Sequence, residues 1–392
     1  MHVLIAPDSF KESLDAERTA RAIARGVKQA APDAEIALCP LGDGGEGTLE
    51  ALFVASGAER RTREVQDALG RPRQASWGFI AERRTAIVEL AEASGLQHLA
   101  PGERCALGAS TFGVGELILA ALDEGAERLI LTLGGSATND AGAGMMQALG
   151  MRFENERGEA LPPGGAALAS LARIDATGVD ARLAGLEVAA AVDVNNPLCG
   201  ERGASAVFGP QKGADPAQVR ILDDALAHLA SISADSLGQD HRETPGAGAA
   251  GGMGFAALAF LGATLRPGIE LVMAQVGFEA ALEKADLVIT GEGRLDGQSL
   301  SGKTPIGVSR AAARAGVPCV VLAGRLDEGW RAAFDEGVTA AFALADGPLS
   351  LAQALAGTER LLTERSESVM RLWQAGLQSS KRSASPAPVA GR

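Results

Sequence analysis

The chain has 392 residues, 46% of them hydrophobic and 22% charged, enough to bury one large core or two medium ones. Its formal net charge of −13 argues against nucleic acid or an anionic membrane surface as partner, but not against an anionic small molecule, which sees only local charge. The four cysteines (Cys39, Cys105, Cys199, Cys319) and four histidines (His2, His98, His228, His241) show no metal-ligand or redox spacing. A His-zinc site and a His-based triad therefore have little support, and a reduced, cytoplasmic setting is expected.

The chain opens with Val3–Ala6, which predicts a strand and not a signal peptide, since a basic start and a long apolar centre are missing. No later apolar run reaches membrane-spanning length. Pro7-Asp8-Ser9-Phe10-Lys11 is the loop at that strand's carboxyl end. Ser13 is the expected cap of a helix with Asp15 and Glu17 in its first turn. A second strand, Ile36–Cys39, leads into a glycine-rich turn holding Gly42, Asp43, Gly44 and Gly45, then a helix through Leu49, Leu52 and Phe53. Polar loops at strand carboxyl ends are where doubly wound sheets bind ligands.

Composition shifts after Thr62, and Arg63–Val88 reads as antiparallel strands joined by turns. Val114, Leu117, Ile118, Ala121 and Leu122 share one face of a helix. The next run, Leu129–Leu133, is apolar on both faces and predicts a buried parallel strand. Gly134, Gly135, Ser136, Ala137, Thr138, Asn139 and Asp140 follow it, with Asn139 or Asp140 expected to cap a helix to Leu149. A glycine turn between strand and helix presents backbone N–H groups to an anion, usually phosphate.

Val188–Val192 predicts another buried strand, ending in Asp193, Asn195 and Asn196. A polar turn, Phe208–Gly213, an amphipathic helix, Pro216–Leu229, and a third glycine cluster, Thr244–Gly254, come next. Ala285–Thr290 returns to α/β logic, followed by Gly291–Asp296. Gly297–Thr304 then matches the P-loop pattern letter for letter. The interposed Gly291–Asp296 and the following Pro305 argue against a true P-loop, and Lys303 is expected near a phosphate in another geometry. Strands at Pro318–Ala323 and Ala340–Leu344 and a helix at Leu351–Trp373 complete the pattern, with a disordered tail expected over 379–392.

Six carboxylates, Asp8, Asp43, Asp140, Asp193, Glu292 and Asp296, fall at strand ends, and Lys11, Lys212, Arg294, Lys303 and Arg325 occupy loops of the same kind. Such carboxylates hold Mg²⁺ together with substrate oxygens, or take a proton from an attacking hydroxyl. Together with cations and glycine turns they suit phosphoryl transfer, which needs positioning and charge neutralisation more than covalent chemistry.

Seven segments, in order and spanning nearly the whole chain, carry a resemblance: Ala6–Leu14, Pro40–Thr48, Gly134–Met145, Asp193–Gly200, Phe208–Ala214, Gly246–Gly254 and Ile289–Pro305. In them the chain resembles the bacterial glycerate kinase family, the type I glycerate 2-kinases. That family usually has Gly where Glu12 and Ala141 stand, and Ala where Gly42 stands. The resemblance implies ATP-dependent phosphorylation of D-glycerate to 2-phosphoglycerate with Mg²⁺. It also implies two α/β domains with the site in the cleft. One is Rossmann- or flavodoxin-like with a parallel sheet, built from both chain ends (1–65 plus 285–378). The other, 66–284, is an inserted mixed-sheet α/β domain.

The roles that follow are expectations. Lys11 and Arg294 hold the glycerate carboxylate, and Asp8 and Ser9 read its hydroxyls. Gly134, Gly135, Ser136, Thr138 and Asn139, with Gly248 and Gly251, hold the nucleotide phosphates. Lys303 neutralises charge on the transferred group, Asp193 is the base, and Asp43 or Asp296 binds the metal. The expected partners are glycerate and ATP, without nucleic acid or membrane, with a homodimer as the assembly considered. Competing expectations are a kinase for a related hydroxy acid, a metal-dependent phosphatase of a phosphorylated hydroxy acid, and a metabolite-sensing module.

Overall fold

The computed structural model describes residues 1–10, 12–41, 56–238, 240–297, 299–301 and 303–384. Lys11, Asp43 and the helix expected through Leu49, Leu52 and Phe53 lie outside the described residues.

In chain order the main elements are β1 (His2–Ile5), α1 (Ala16–Ala30), β2 (Glu35–Leu38), β3 (Glu59–Gln66), β4 (Pro72–Ile80), β5 (Thr85–Glu89), α2 (Phe112–Asp123), β6 (Arg128–Thr132) and α3 (Ala143–Ala148). Then come β7 (Arg152–Glu154), β8 (Arg173–Asp175), β9 (Glu187–Ala191), α4 (Pro216–Leu237), α5 (Ala249–Leu261) and β10 (Thr264–Arg266). The chain closes with β11 (Leu287–Leu295), α6 (Thr304–Arg314), β12 (Cys319–Leu326), β13 (Ala340–Ala343) and α7 (Leu351–Ala384). They divide into two compact units, Met1–Asp43 with Met273–Arg392, and Gly44–Val272.

The first unit holds a five-stranded parallel sheet in the order β13-β12-β11-β1-β2. This is the flavodoxin-like arrangement, and the strand order reverses between β1 and β11, the place where such sheets bind ligands. Leu287–Glu292 is buried throughout, as a central parallel strand requires. The ladder continues past β1, with the Asp8 amide donating to the Gly291 carbonyl at 2.8 Å. Asp15, not Ser13, caps α1 by accepting from the Arg18 amide; the Ser13 hydroxyl instead donates to the Leu355 carbonyl at 2.8 Å. α1 packs against α7 so closely that a Cβ on Gly26 would sit 2.0 Å from the Thr363 carbonyl oxygen. Val3, Ile5, Ile23, Val27, Leu362 and Met370 form that core. Helical backbone continues to Ala384, past the point where the tail was expected to begin.

The second unit is built on a six-stranded mixed sheet, β10-β9-β6-β5-β4-β3. Strands β5, β6, β9 and β10 run parallel, and β3 and β4 add the antiparallel edge that Arg63–Val88 predicts. Residues 59–65, expected in the first domain, pair with β4 and so belong to this sheet. Leu129, Leu131, Val188, Met145 and Phe255 lie in its core, with α2 contributing Val114, Leu117 and Ile118. β7 and β8 make a separate antiparallel ribbon. Asp215 caps α4 with a reciprocal Gln218 contact and Pro216 in the first turn, and the helix runs eight residues beyond its predicted end, to Leu237.

Among the described residues, four that are not glycine adopt left-handed backbone: Glu12 (φ 65°), Arg84 (φ 47°), Ala141 (φ 45°) and Ala250 (φ 53°). Two of these, Glu12 and Ala141, are the positions at which the resembled family usually has glycine. Left-handed backbone brings Cβ against the following carbonyl, at roughly 1–2 kcal/mol. Ala141 is buried, so glycine there would relieve strain but remove a packed methyl worth about 0.8 kcal/mol. Glu12 is exposed and has no such offset. Glu12→Gly is expected to raise stability by up to about 1 kcal/mol, a gain of roughly 2–4 °C in the melting temperature of the unit that contains it. An unchanged or lower midpoint in a calorimetric melt would contradict this.

Candidate active site

In the first unit the carboxyl ends of β1 and β11 bring together Asp8, Glu292, Asp296, Ser299, Lys303 and Thr304. Asp8 is buried and fully engaged: Oδ2 accepts from the Thr304 hydroxyl at 2.9 Å, and Oδ1 accepts from the Ser9 amide at 2.5 Å and its hydroxyl at 3.2 Å. The Asp296 carboxylate pairs with Arg294 Nε at 3.0 Å and accepts from the Ser299 amide at 3.1 Å. Arg294 also pairs with Asp327 at 2.6 Å, and Arg325 reaches the same carboxylate at 2.5 Å. The Lys303 ammonium lies 3.7 Å from Glu292 Oε2 and 3.5 Å from the Ser299 hydroxyl. Glu292 is 6% exposed, and its Oε1 has no hydrogen-bond partner among the described residues. Burial pushes its carboxyl up to about 7; Lys303 and a hydrogen bond from the Ser299 side chain oppose the rise, and Asp8 and Asp296 add to it.

Of Gly291–Asp296, expected to separate strand from P-loop motif, all but Asp296 belong to β11, so the motif does sit between a strand and a helix. Its described residues are nonetheless not arranged as in a P-loop. Ser299–Ser301 forms a 3₁₀ turn anchored on Asp296, and the Thr304 hydroxyl is committed to Asp8. The motif thus delivers Lys303 to the end of β11 by another geometry.

In the second unit the carboxyl ends of β6 and β9 open onto a cavity of about 240 Å³, lined by Gly134, Gly135, Ser136, Asp193, Lys212 and Ala250 among others. Gly135 has φ +73°, and the turn is tied down at both ends: Gly135 O accepts from the Leu96 amide at 2.8 Å, and the Ala137 amide donates to Ser94 O at 2.9 Å. The amides of Gly134, Gly135 and Ser136 meet no acceptor among the described residues. Around Gly134 there is room even for a Cβ. Beneath the turn lies Lys212, 1% exposed, whose ammonium donates to Ser136 Oγ at 2.8 Å and to the Thr138 carbonyl at 2.6 Å. Burial pulls its pKa down to about 7, against the opposing pull of Asp140.

The other expected residues divide. Asp193 lines the cavity and accepts from the Gly268 amide at 2.9 Å. Thr138 and Asn139 are fully buried, and the Asn139 side chain donates to Ser205 at 2.9 Å. The Thr138 hydroxyl and Asn139 Oδ1 are left without partners among the described residues. Gly248 and Gly251 have a packing reason: a Cβ on them would lie 2.1 Å from the carbonyl oxygens of Pro197 and Thr138, respectively. They bring the third glycine cluster down onto 138–141 and leave Ala249 and Ala250 at the cavity wall.

Residues 139–142 are not helical, and the helix begins only at Ala143 behind Gly142. Asp140 organises this bend. Its Oδ2 accepts from the amide and hydroxyl of Thr111 at 2.8 and 2.9 Å and from the Gly144 amide at 3.2 Å, while Oδ1 accepts from the Gly142 amide. Burial raises its pKa, and these bonds oppose the rise.

In the sequence Lys212 and Glu292 stand in polar loops with nothing to single either out for a role. The missing signal is burial, which a charged residue flanked by glycines does not advertise.

A model of the glycerate kinase family matches residues 3–374. A glycerate kinase of Halalkalibacterium halodurans is 48% identical over 94% of this chain and 97% of its own length. The glycerate 2-kinase of Escherichia coli K12 is 44% identical over 91% and 94%. The crystal structure of a candidate glycerate kinase 2 from Salmonella typhimurium LT2 superposes with a TM-score of 0.84 at 44% identity, covering 96% of this chain and 99% of that one.

Proposed function

The chain belongs to the glycerate kinase family, and from that premise we propose that it phosphorylates D-glycerate at the 2-hydroxyl with ATP, giving 2-phosphoglycerate and ADP. The observation that carries this is Lys212, a buried ammonium held under a glycine turn that lines an open cavity and whose amides meet no acceptor among the described residues. An anion binding there meets backbone dipoles and a cation in a low-dielectric setting, where each is worth more than in water. The nucleotide phosphates are assigned to this turn, through Gly134, Gly135 and Ser136, with Thr138 and Asn139 shaping the bend behind it.

In the first unit, Asp8 and Ser9 read the hydroxyls of the acid, and the Arg294 guanidinium, anchored by Asp296 and Asp327, supports its carboxylate. Lys303 neutralises charge as the phosphoryl group moves.

Magnesium is assigned as part of the nucleotide substrate. Among the described residues no group of three or more Asp, Glu, His or Cys side chains is arranged to hold a metal, and Asp296 is already tied to Arg294 and Ser299. An ion that keeps its waters and binds through phosphates needs only one or two protein carboxylates. Asp193, on the wall of the same cavity as Lys212, is the carboxylate it would meet.

No helix among the described residues is long and apolar enough to cross a membrane. The function is tested by ADP release on D-glycerate, with phosphorus NMR to locate the ester. The expected result is turnover of about 1–100 s⁻¹, with phosphorus on the C2 oxygen. Absence of ADP formation across a panel of small hydroxy acids would refute the assignment, and inorganic phosphate released from a phosphorylated acid without ATP would replace it by a phosphatase.

A further inference from the structure

We propose that Glu292 is the catalytic base that takes the proton of the glycerate 2-hydroxyl, a role resting on the glycerate kinase assignment above. It takes the place of Asp193, the residue nominated from sequence.

The described carboxylates differ in what their oxygens already do. Both oxygens of Asp8 accept hydrogen bonds from Ser9 and Thr304, and Asp296 is held by Arg294 and Ser299. Asp193 is exposed, with Oδ1 on the Gly268 amide. Glu292 alone among these four combines burial with an oxygen, Oε1, that meets no partner among the described residues. A buried polar atom left unsatisfied is costly, and such atoms persist where a ligand supplies the partner.

The backbone setting agrees. Glu292 sits on β11 next to β1, at the reversal of strand order, one residue beyond the Gly291 carbonyl that fixes Asp8. Its second oxygen faces Lys303 at 3.7 Å, a cation that attracts the same transferring phosphoryl group and holds the carboxylate partly in its ionised, proton-accepting form. A base is most effective when its pKa lies near the working pH, and burial brings Glu292 there. In the step itself, the C2 oxygen forms a bond to the γ-phosphorus as the bond from that phosphorus to the β,γ-bridging oxygen breaks. The bond's electron pair leaves on ADP, the hydroxyl proton passes to Glu292 Oε1, and it is later lost to water.

The test is steady-state kinetics on Glu292→Gln and Glu292→Ala. For Glu292→Gln, kcat is expected to fall about 10²–10⁴-fold, with the KM for glycerate within a few-fold of wild type. The wild-type kcat profile should show an acid limb near pH 7 that the variant's residual activity lacks. Formate should restore part of the activity of Glu292→Ala.

Folding is checked separately. The folded-state pKa of Glu292 is raised, so its contribution to stability is full below the unfolded value and is lost as pH rises through about 7. At pH 8, therefore, Glu292→Gln should melt no lower than wild type. Glu292→Gln with more than about a tenth of wild-type kcat, or a slow variant that keeps the acid limb with no formate rescue, would overturn the base assignment while the wild-type kinase activity stands. Absence of glycerate-dependent ADP formation in the wild-type chain would instead overturn the functional assignment beneath it.

Discussion

Lys212→Met is expected to lower kcat/KM by about 10²–10³-fold in a chain that still folds, the loss typical of removing one preorganised donor to developing charge. Methionine keeps the length and apolar stem of lysine and deletes only the ammonium that donates to Ser136 and Thr138. The same residue makes two pH effects predictable. Its pKa in the folded protein is lowered to about 7 because burial disfavours the charged form. An anion in the cavity favours the ammonium, so ATP binding takes up a proton above pH 7, and the KM for ATP should climb with pH in wild type but not in the variant.

For stability the sign is opposite to that of a paired lysine. Between about 7 and the ordinary lysine value the unfolded chain binds more protons than the folded one, so wild-type stability rises with pH across that window. Lys212→Met should lose this rise. Near-normal turnover, with an ATP KM that follows pH as in wild type, would show that Lys212 only fills space.

Lys303→Met is expected to lower kcat by about 10²-fold with little change in the KM for glycerate, since neutralising transferred charge matters in the transition state and not in the bound acid. The side chain is about one-third exposed and makes only long contacts to Glu292 and Ser299, so the melting temperature should hardly move. A second readout ties it to its neighbour. Lys303 counteracts the rise of the Glu292 pKa, so its removal should move the acid limb of the kcat profile to higher pH. A fall in KM-dependent terms alone, with kcat and the limb unchanged, would make Lys303 a binding residue and nothing more.

The parts of this molecule that follow from periodicity were readable from the chain alone. The apolar run before Gly134 becomes β6, the alternation over Arg63–Val88 becomes β3–β5, and the return to α/β pattern near Ala285 becomes β11. What escaped depends on atoms distant in sequence. Ser13 looked like a helix cap, but its hydroxyl is drawn to Leu355, more than three hundred residues on, and Asp15 does the capping. At Gly248 and Gly251 the sequence shows a glycine cluster, and the close packing of the chain there on Pro197 and Thr138 is what it does not show. Gly291–Leu295 looked like a linker because two glycines and two charges hide a strand whose ladder to β12 is long. Glu292 and Lys212 belong to the same class: only the fold reveals which of several loop charges is taken out of water.

The first unit's sheet is assembled from the two extremities of the chain, with β2 ending at Leu38 and β11 starting at Leu287. On the ribosome roughly 250 residues separate them, about 12–50 s of elongation at ordinary rates. Throughout that interval the nascent β1 has its eventual β11 edge open, while the whole mixed sheet of the second unit, complete at Arg266, is free to form. The mixed sheet can therefore close before the parallel one is complete, and until β11 emerges the open edge of β1 is exposed to strand-to-strand aggregation.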